Sequence, residues 1–356
     1  AVSLLTPAQA NTRSTVVIHH TNVQTGLNCS TTTTNSTVCT DQAALTGMGF
    51  NYYNDKKELV KNTVFGNYKV IKNSKTDFRV QYTVNPGRVW SDGTPITAVD
   101  LLLTHVICSS SYSLGAGLGD PKSEDVTPGF NSGCYGGVYD THAVYLPTLS
   151  ADKMSLTIEY DSAIPDWEIN APGPAPVHTL VQMAEGKKSA QNAAANRASK
   201  AKFEKAFFSY DKKLMTAMGK VWSNDYNIKE VNAQTNPLLL VGNGAYLLKS
   251  AVANGTITLV ENPRHKTNPS GPKTNGIKNI QFRIIDNATA AAQACNNSVR
   301  LTIAVSFSRG FTSDIIISLV IRRLVAGTRC CLSVHRHNVI KRRNTQKYVQ
   351  GGVPVL

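Results

Sequence analysis

The sequence predicts an α/β protein. Three features carry the prediction: apolar residues alternate with period two in several places, recur at three and four in others, and the two kinds of segment are interleaved. Val16 to Ile18 reads as a first strand, ending at His19-His20. Alternation next marks Phe78, Val80, Tyr82 and Val84 as one buried face of a strand. A tight turn follows at Asp92-Gly93, stiffened by Pro95. Thr97 to Asp100 has the spacing of a capping box, in which Thr97 caps a helix and Asp100 reaches back to it, and Leu101 to Ile107 continues that helix. Met154, Leu156, Ile158 and Tyr160 form another strand. Three alternate prolines, Pro172, Pro174 and Pro176, can continue neither a helix nor a central strand, so a boundary belongs there. The Ala/Lys-rich run 187–200 reads as an exposed helix or connection. Phe203, Ala206/Phe207, Tyr210, Leu214, Ala217/Met218 and Val221/Trp222 make one long apolar helical stripe, which is core packing. Ile280, Phe282 and Ile284 mark a late strand. No internal repeat is visible.

At 356 residues and 41% hydrophobic, the chain can build two or three lobes with their own cores. Uncharged runs of spanning length occur only in small-residue or polar sequence, which excludes a multispanning membrane protein. The net charge of +14 invites a nucleic-acid partner, but its distribution argues against one. Residues 298–356 hold ten Lys and Arg, eight of them Arg, against the single acid Asp314. The preceding 297 residues hold 27 basic and 22 acidic side chains, with six Arg to 21 Lys. Two compositions therefore meet near residue 297. The late segment could act as a basic arm on phosphates or anionic lipid, although charge runs are usually solvated faces. Its apolar run Ile315 to Ile321 is too short to span a bilayer.

Seven cysteines include two natural pairs, Cys29 with Cys39 and Cys108 with Cys134, each in a Ser/Thr/Gly-rich stretch. Bridged, they imply an oxidising compartment; four unrelated buried thiols are the alternative, because spacing does not fix connectivity. Ala8-Gln-Ala10 before Asn11 reads as the end of an export signal, or as a plain extended lead-in.

Catalytic fingerprints are missing: there is no G-x-S-x-G, H-E-x-x-H or G-x-x-x-x-G-K-[ST]. Gly115-Ala-Gly-Leu-Gly119 has the wrong spacing for a dinucleotide turn and reads as a loop. His19, His20 and His105 read as satisfied structural histidines. Cys330, Cys331, His335 and His337 have ligand chemistry suited to zinc, but adjacent cysteines bite one metal poorly. Tyr52, Tyr53 and Trp167 could line a cleft; core packing is their expected fate. No catalytic, metal or ligand-binding residue is assigned, and no cofactor is expected.

One block is more specific. Trp90-Ser-Asp-Gly-Thr-Pro-Ile-Thr-Ala-Val-Asp100 resembles the W-S-D-G-x-P-[IV]-T-A-x-D block of the extracellular solute-binding proteins of peptide and nickel ABC importers, family 5. Gly242-Asn-Gly-Ala-Tyr246 resembles that family's G-T-G-P-Y turn, departing at Asn243 and Ala245. Glu261-Asn-Pro-Arg-His265 resembles loosely its R-N-P-x-Y turn, and 50–60 its early segment. The resemblance covers roughly residues 15–295 in colinear order and stops where the composition changes.

The resemblance implies periplasmic-binding-protein-like lobes of type II (cluster C), with the late lobe largely missing. Residues 1–45 and 178–268 would form a split lobe I, 46–177 lobe II, 269–297 the start of lobe III, and 298–356 an aberrant basic tail from a shifted frame or foreign join. It implies a monomeric, exported receptor, periplasmic or on the cell surface, that captures small peptides and delivers them to an ABC permease. It would be no enzyme and bind no nucleic acid. In the family, hinge closure encloses the ligand, extended peptides are held largely through their backbone amides, and the carboxylate for a peptide's amino terminus lies in the late lobe. The alternatives are a degenerate product that binds nothing, a receptor for nickel or another small solute, an exported hydrolase, or a basic adhesion protein.

Overall fold

The computed structural model describes residues 14–125 and 127–285, with the backbone of 302–304. The export-signal reading at 8–11, Cys295 and the candidate zinc ligands at 330–337 lie outside the described residues.

The chain opens with β1 (Thr15–His20), then α1 (Thr37–Thr46), the short hairpin β2 (Asn51–Tyr53) and β3 (Leu59–Lys61), and the longer hairpin β4 (Gly66–Ser74) and β5 (Asp77–Val84). A 3-10 turn (Ala98–Leu101) leads into α2 (Leu102–Cys108), followed by α3 (Ser110–Gly115), α4 (Val138–His142), β6 (Thr148–Leu149) and β7 (Ser155–Tyr160). Three helices follow, α5 (Val177–Ala184), α6 (Ala193–Phe208) and α7 (Lys212–Lys220). The last elements are β8 (Tyr246–Ala251), β9 (Thr256–Glu261), α8 (Pro263–Thr267), β10 (Asn279–Ile284) and β11 (Thr302–Ala304).

Two larger sheets result. One has the order β4-β5-β7-β6 and is antiparallel throughout. The alternation read in β5 and β7 is the pleat itself: Phe78, Val80, Tyr82 and Val84 are buried opposite Leu156, Ile158 and Tyr160. Each such side chain contributes about 1.5–3 kcal/mol on leaving water. The other sheet has the order β11-β1-β10-β9-β8, with β1 parallel to both β10 and β11 and the rest antiparallel.

Buried apolar side chains form two clusters. The first joins the antiparallel sheet to α2, α5, α6 and α7, through Phe203, Phe207, Met215 and Met218 among others. The second joins β1, α1, β8, β9 and β10 through Ile18, Val38, Leu45, Tyr246, Leu259 and Phe282. Residues 178–222 share the first cluster with 46–177, through contacts of α6 with α2 and the 3-10 turn. Strand β10, within 269–297, lies between β1 and β9. Residues 302–304, expected to stand apart in a foreign tail, pair with β1 from Val17 to His19.

The single helical stripe from Phe203 to Trp222 is two helices. Tyr210 takes a left-handed φ of 52°, and Asp211 caps α7 by accepting from the Leu214 N–H at 3.0 Å. Both helices bury the same face in the same cluster, so the apolar periodicity runs on across the break. Both cysteine pairs read from the sequence are bridged, Cys29–Cys39 and Cys108–Cys134. On the chain-entropy account each closed loop stabilises the fold by ~3 kcal/mol.

Candidate functional site

The three sequence blocks meet in space. In the first, the Gly93 N–H donates to Trp90 O (2.9 Å) and Gly93 has a φ of +87°, a conformation that glycine adopts without strain. The Thr94 N–H closes an Asx turn on Asp92 Oδ1 (2.9 Å). The other carboxylate oxygen of Asp92 lies 2.8 Å from His178 Nε2, on α5, and accepts from Asn196 Nδ2, on α6, at 3.3 Å. Burial pushes the Asp92 carboxyl up, but the His178 contact and the Thr94 bonds outweigh it and hold the pKa below the usual value. Asp100 reaches back to the Thr97 N–H (3.0 Å) as the capping spacing predicts. It also receives Lys200 Nζ at 2.7 Å, and Lys200 donates to Pro95 O at 2.8 Å. That ion pair is buried; removing one partner of such a pair costs about 3–5 kcal/mol. The block is thus a brace, tied to α5 by the His178 contact and to α6 by the Lys200 ion pair.

The second block docks on the first: the Ser91 N–H donates to Gly242 O at 2.9 Å, and the Gly242 N–H to Ser91 Oγ at 3.3 Å. Asn243 both accepts from the Met48 N–H (2.9 Å) and donates to Met48 O (2.8 Å). The third block closes the ring, with Asn262 Nδ2 donating to Gly244 O (2.9 Å) and the Arg264 guanidinium packed over Gly93.

Beside this hub a cleft of about 280 Å³ lies between the two clusters. Trp90, Trp222, Tyr226 and Leu180 line it from the first side, and Leu27 and Leu240 from the second. The loop after β1 is pinned at its rim: the Leu27 N–H donates to Tyr226 O (2.8 Å) and Asn28 Nδ2 to Trp222 O (3.0 Å). The Cys29–Cys39 bridge fixes the same loop to α1. Trp222 donates its indole N–H to Asn131 O (2.8 Å), whereas Trp90 Nε1 is buried with no hydrogen-bond partner among the described residues. The described lining residues carry no carboxylate, lysine, arginine or histidine, so the cleft suits neutral and apolar parts of a solute.

A second polar group sits at the carboxyl end of β1, where parallel strands usually present ligand-facing loops. His20 Nε2 lies 3.2 Å from Asp41 Oδ2, both buried. Burial raises the Asp41 pKa, and the His20 contact opposes it in part. His19 is held below its usual pKa by burial and by Arg283. Gln24, in the loop running from this strand to the cleft, is buried with neither amide atom hydrogen-bonded among the described residues.

Of the cleft residues, Trp90, Gly242 and Asn243 belong to the family-like blocks, Pro174 and Pro176 to the proline boundary, and Cys29 and Cys39 to a cysteine pair. Trp222, read as core, stands at its wall, while Gln24 and Tyr226 carry no sequence signal beyond residue type. Trp167 packs on Tyr68 and Phe78 with ring centroids 5.3 and 6.1 Å away, and neither it nor Tyr52 and Tyr53 reach the cleft. His105 is buried against the Tyr139 hydroxyl (3.1 Å), and Gly115 to Gly119 form the end of α3 and a loop.

The family described as bacterial extracellular solute-binding proteins, family 5 Middle, matches residues 68–308. The chain belongs to that family. The match runs past 295, where the sequence resemblance was expected to stop. Among solved structures, a periplasmic EDTA-binding protein is similar at 18% identity and a TM-score of 0.52, covering 82% of this chain and 45% of that one. The oligopeptide binding protein of Thermus thermophilus, complexed with a pentapeptide, gives 15% identity and 0.49, covering 80% and 44%. The murein tripeptide binding protein of Escherichia coli gives 18% and 0.45, covering 78% and 43%. No curated protein matches the sequence. The first likeness shows the α/β periplasmic-binding-protein fold for this family 5 chain, which spans less than half the length of each of these structures. No helix among the described residues is long and apolar enough to cross a membrane.

Proposed function

We propose that the chain is the solute-capturing component of an ABC importer, working outside the cytoplasm as a binding protein rather than an enzyme, and that its solute is a short peptide. The family match over residues 68–308 carries this reading. The cleft supports it chemically. Two indoles and aliphatic walls suit uncharged side chains and peptide backbone, and the lack of charge in the described lining leaves the ionic ends of a peptide to groups elsewhere. Capture then rests on closure about the junction of the two clusters, driven by whatever binding energy the closed form gains over the open one.

Calorimetry of the intact chain with a mixed pool of di- to pentapeptides tests the proposal. Saturable heat with a Kd on the order of 1 μM, about −8 kcal/mol, is the expected result, with a matching rise in Tm. A folded protein giving no heat with the pool would overturn the reading. Heat from a nickel salt alone would replace the peptide with a metal solute.

A further inference from the structure

Residues 187–220 carry nine Lys and Arg against two acids, Glu204 and Asp211, while the rest of residues 1–297 carries eighteen against twenty. The positive excess of that whole stretch thus sits in the region of α6 and α7. Lys200 is spent on Asp100 and Lys202 on Glu185, but Lys205, Lys212 and Lys213 are exposed and make no ion pair among the described residues.

Apolar groups stand among these cations. Phe208 is 40% exposed, Tyr210 36% and Leu114, on α3, 56%. Contacts bring α3 and the α6–α7 turn together: Tyr112 stacks on both Phe207 and Tyr210, with centroids 4.8 and 5.2 Å away, and donates its hydroxyl to Phe207 O at 3.1 Å. The Tyr210 ring lies over Gly115, and the Lys212 side chain over Gly117. Tyr210 sits at a left-handed φ of 52°, uncommon for a bulky residue, at the turn between the two helices.

We propose that the end of α3 and the α6–α7 turn form a docking patch for an anionic lipid bilayer. Lysines that only solvate a helix need no aromatic or aliphatic neighbours in the open. A bilayer surface uses both: phosphate headgroups take the ammonium groups, and the headgroup boundary takes half-buried rings and a leucine. Asp211 offsets one of the three charges of Lys205, Lys212 and Lys213, and the patch stays positive.

The test uses the intact chain carrying Phe208→Trp as reporter, with the unsubstituted chain as blank. Vesicles are phosphatidylcholine alone, or with about one-third phosphatidylglycerol, sedimented at low salt and again at about 0.5 M, where charge is screened within a few Å. The expected result is binding to the anionic vesicles only, a blue shift of the reporter, quenching by headgroup-labelled lipid, and release by salt. Lys205→Glu/Lys212→Glu/Lys213→Glu should lower the bound fraction at least tenfold. Leu114→Ser in the reporter chain, which keeps every charge, should reduce the blue shift. Equal binding to neutral vesicles, no binding, or binding without a reporter shift, as when residues 298–356 alone hold the chain, overturns the proposal. So does a stronger response to a soluble acidic polypeptide than to lipid.

Discussion

His105 shows how a single side chain ties burial to pH. It is 1% exposed, ringed by Tyr112, Tyr139 and Phe207 at centroid distances of 5.8 to 5.9 Å. Burial, opposed by the charge of Asp140, lowers its pKa to about 3. The unfolded side chain takes up a proton near pH 6.5 that the folded one refuses until near 3. Stability therefore falls as pH drops through that window, by up to about 1.4 kcal/mol per pH unit. Urea unfolding at pH 7 and pH 4.5 should show the native chain losing about 2–3 kcal/mol more than His105→Leu. Equal losses would mean that the imidazole is not held neutral. The residue was readable as structural because it lies on an apolar helical segment. Tyr226 was not readable: a tyrosine outside any periodic segment has no pattern until the fold places a cleft beside it.

Among elements, the junction of α1 with the Gly242–Tyr246 block is tightly packed. A Cβ on Gly244 would stand 2.3 Å from Leu45 O and 2.4 Å from the Thr46 carbonyl carbon, both backbone atoms that cannot turn aside. Gly244→Ala should cost about 2–3 kcal/mol in urea unfolding, as overpacking of a fixed contact does. Gly173→Ala, where nothing lies within 4 Å, should cost little by comparison. A Gly244→Ala chain as stable as the parent would mean that this contact is not made. The strands of the antiparallel sheet were legible because one face is buried and the period of two survives intact. The break between α6 and α7 was masked, even though Asp211 is a capping residue, since both helices feed the same core at matching spacing.

Across the whole molecule, the two apolar clusters define which elements should rise and fall together. Native-state hydrogen exchange in low denaturant should group the amides of α5, α6 and α7 with those of β5 and β7, and apart from β1, β9 and β10. Grouping of α5 to α7 with β1, β8 and β9 would instead match the split lobe I drawn from the sequence. The sequence alone determined the α/β class, the strands β5, β7 and β10 and the family, because these are encoded in short-range periodicity and in ordered local blocks; it suggested both cysteine pairs, and the structure bridges them. Only the tertiary structure decided that those blocks form one hub, that helices after the proline boundary join the earlier core, and that a neutral cleft lies between the clusters. Each of these depends on contacts between segments up to about two hundred residues apart, such as Met48 with Asn243, which no local pattern records.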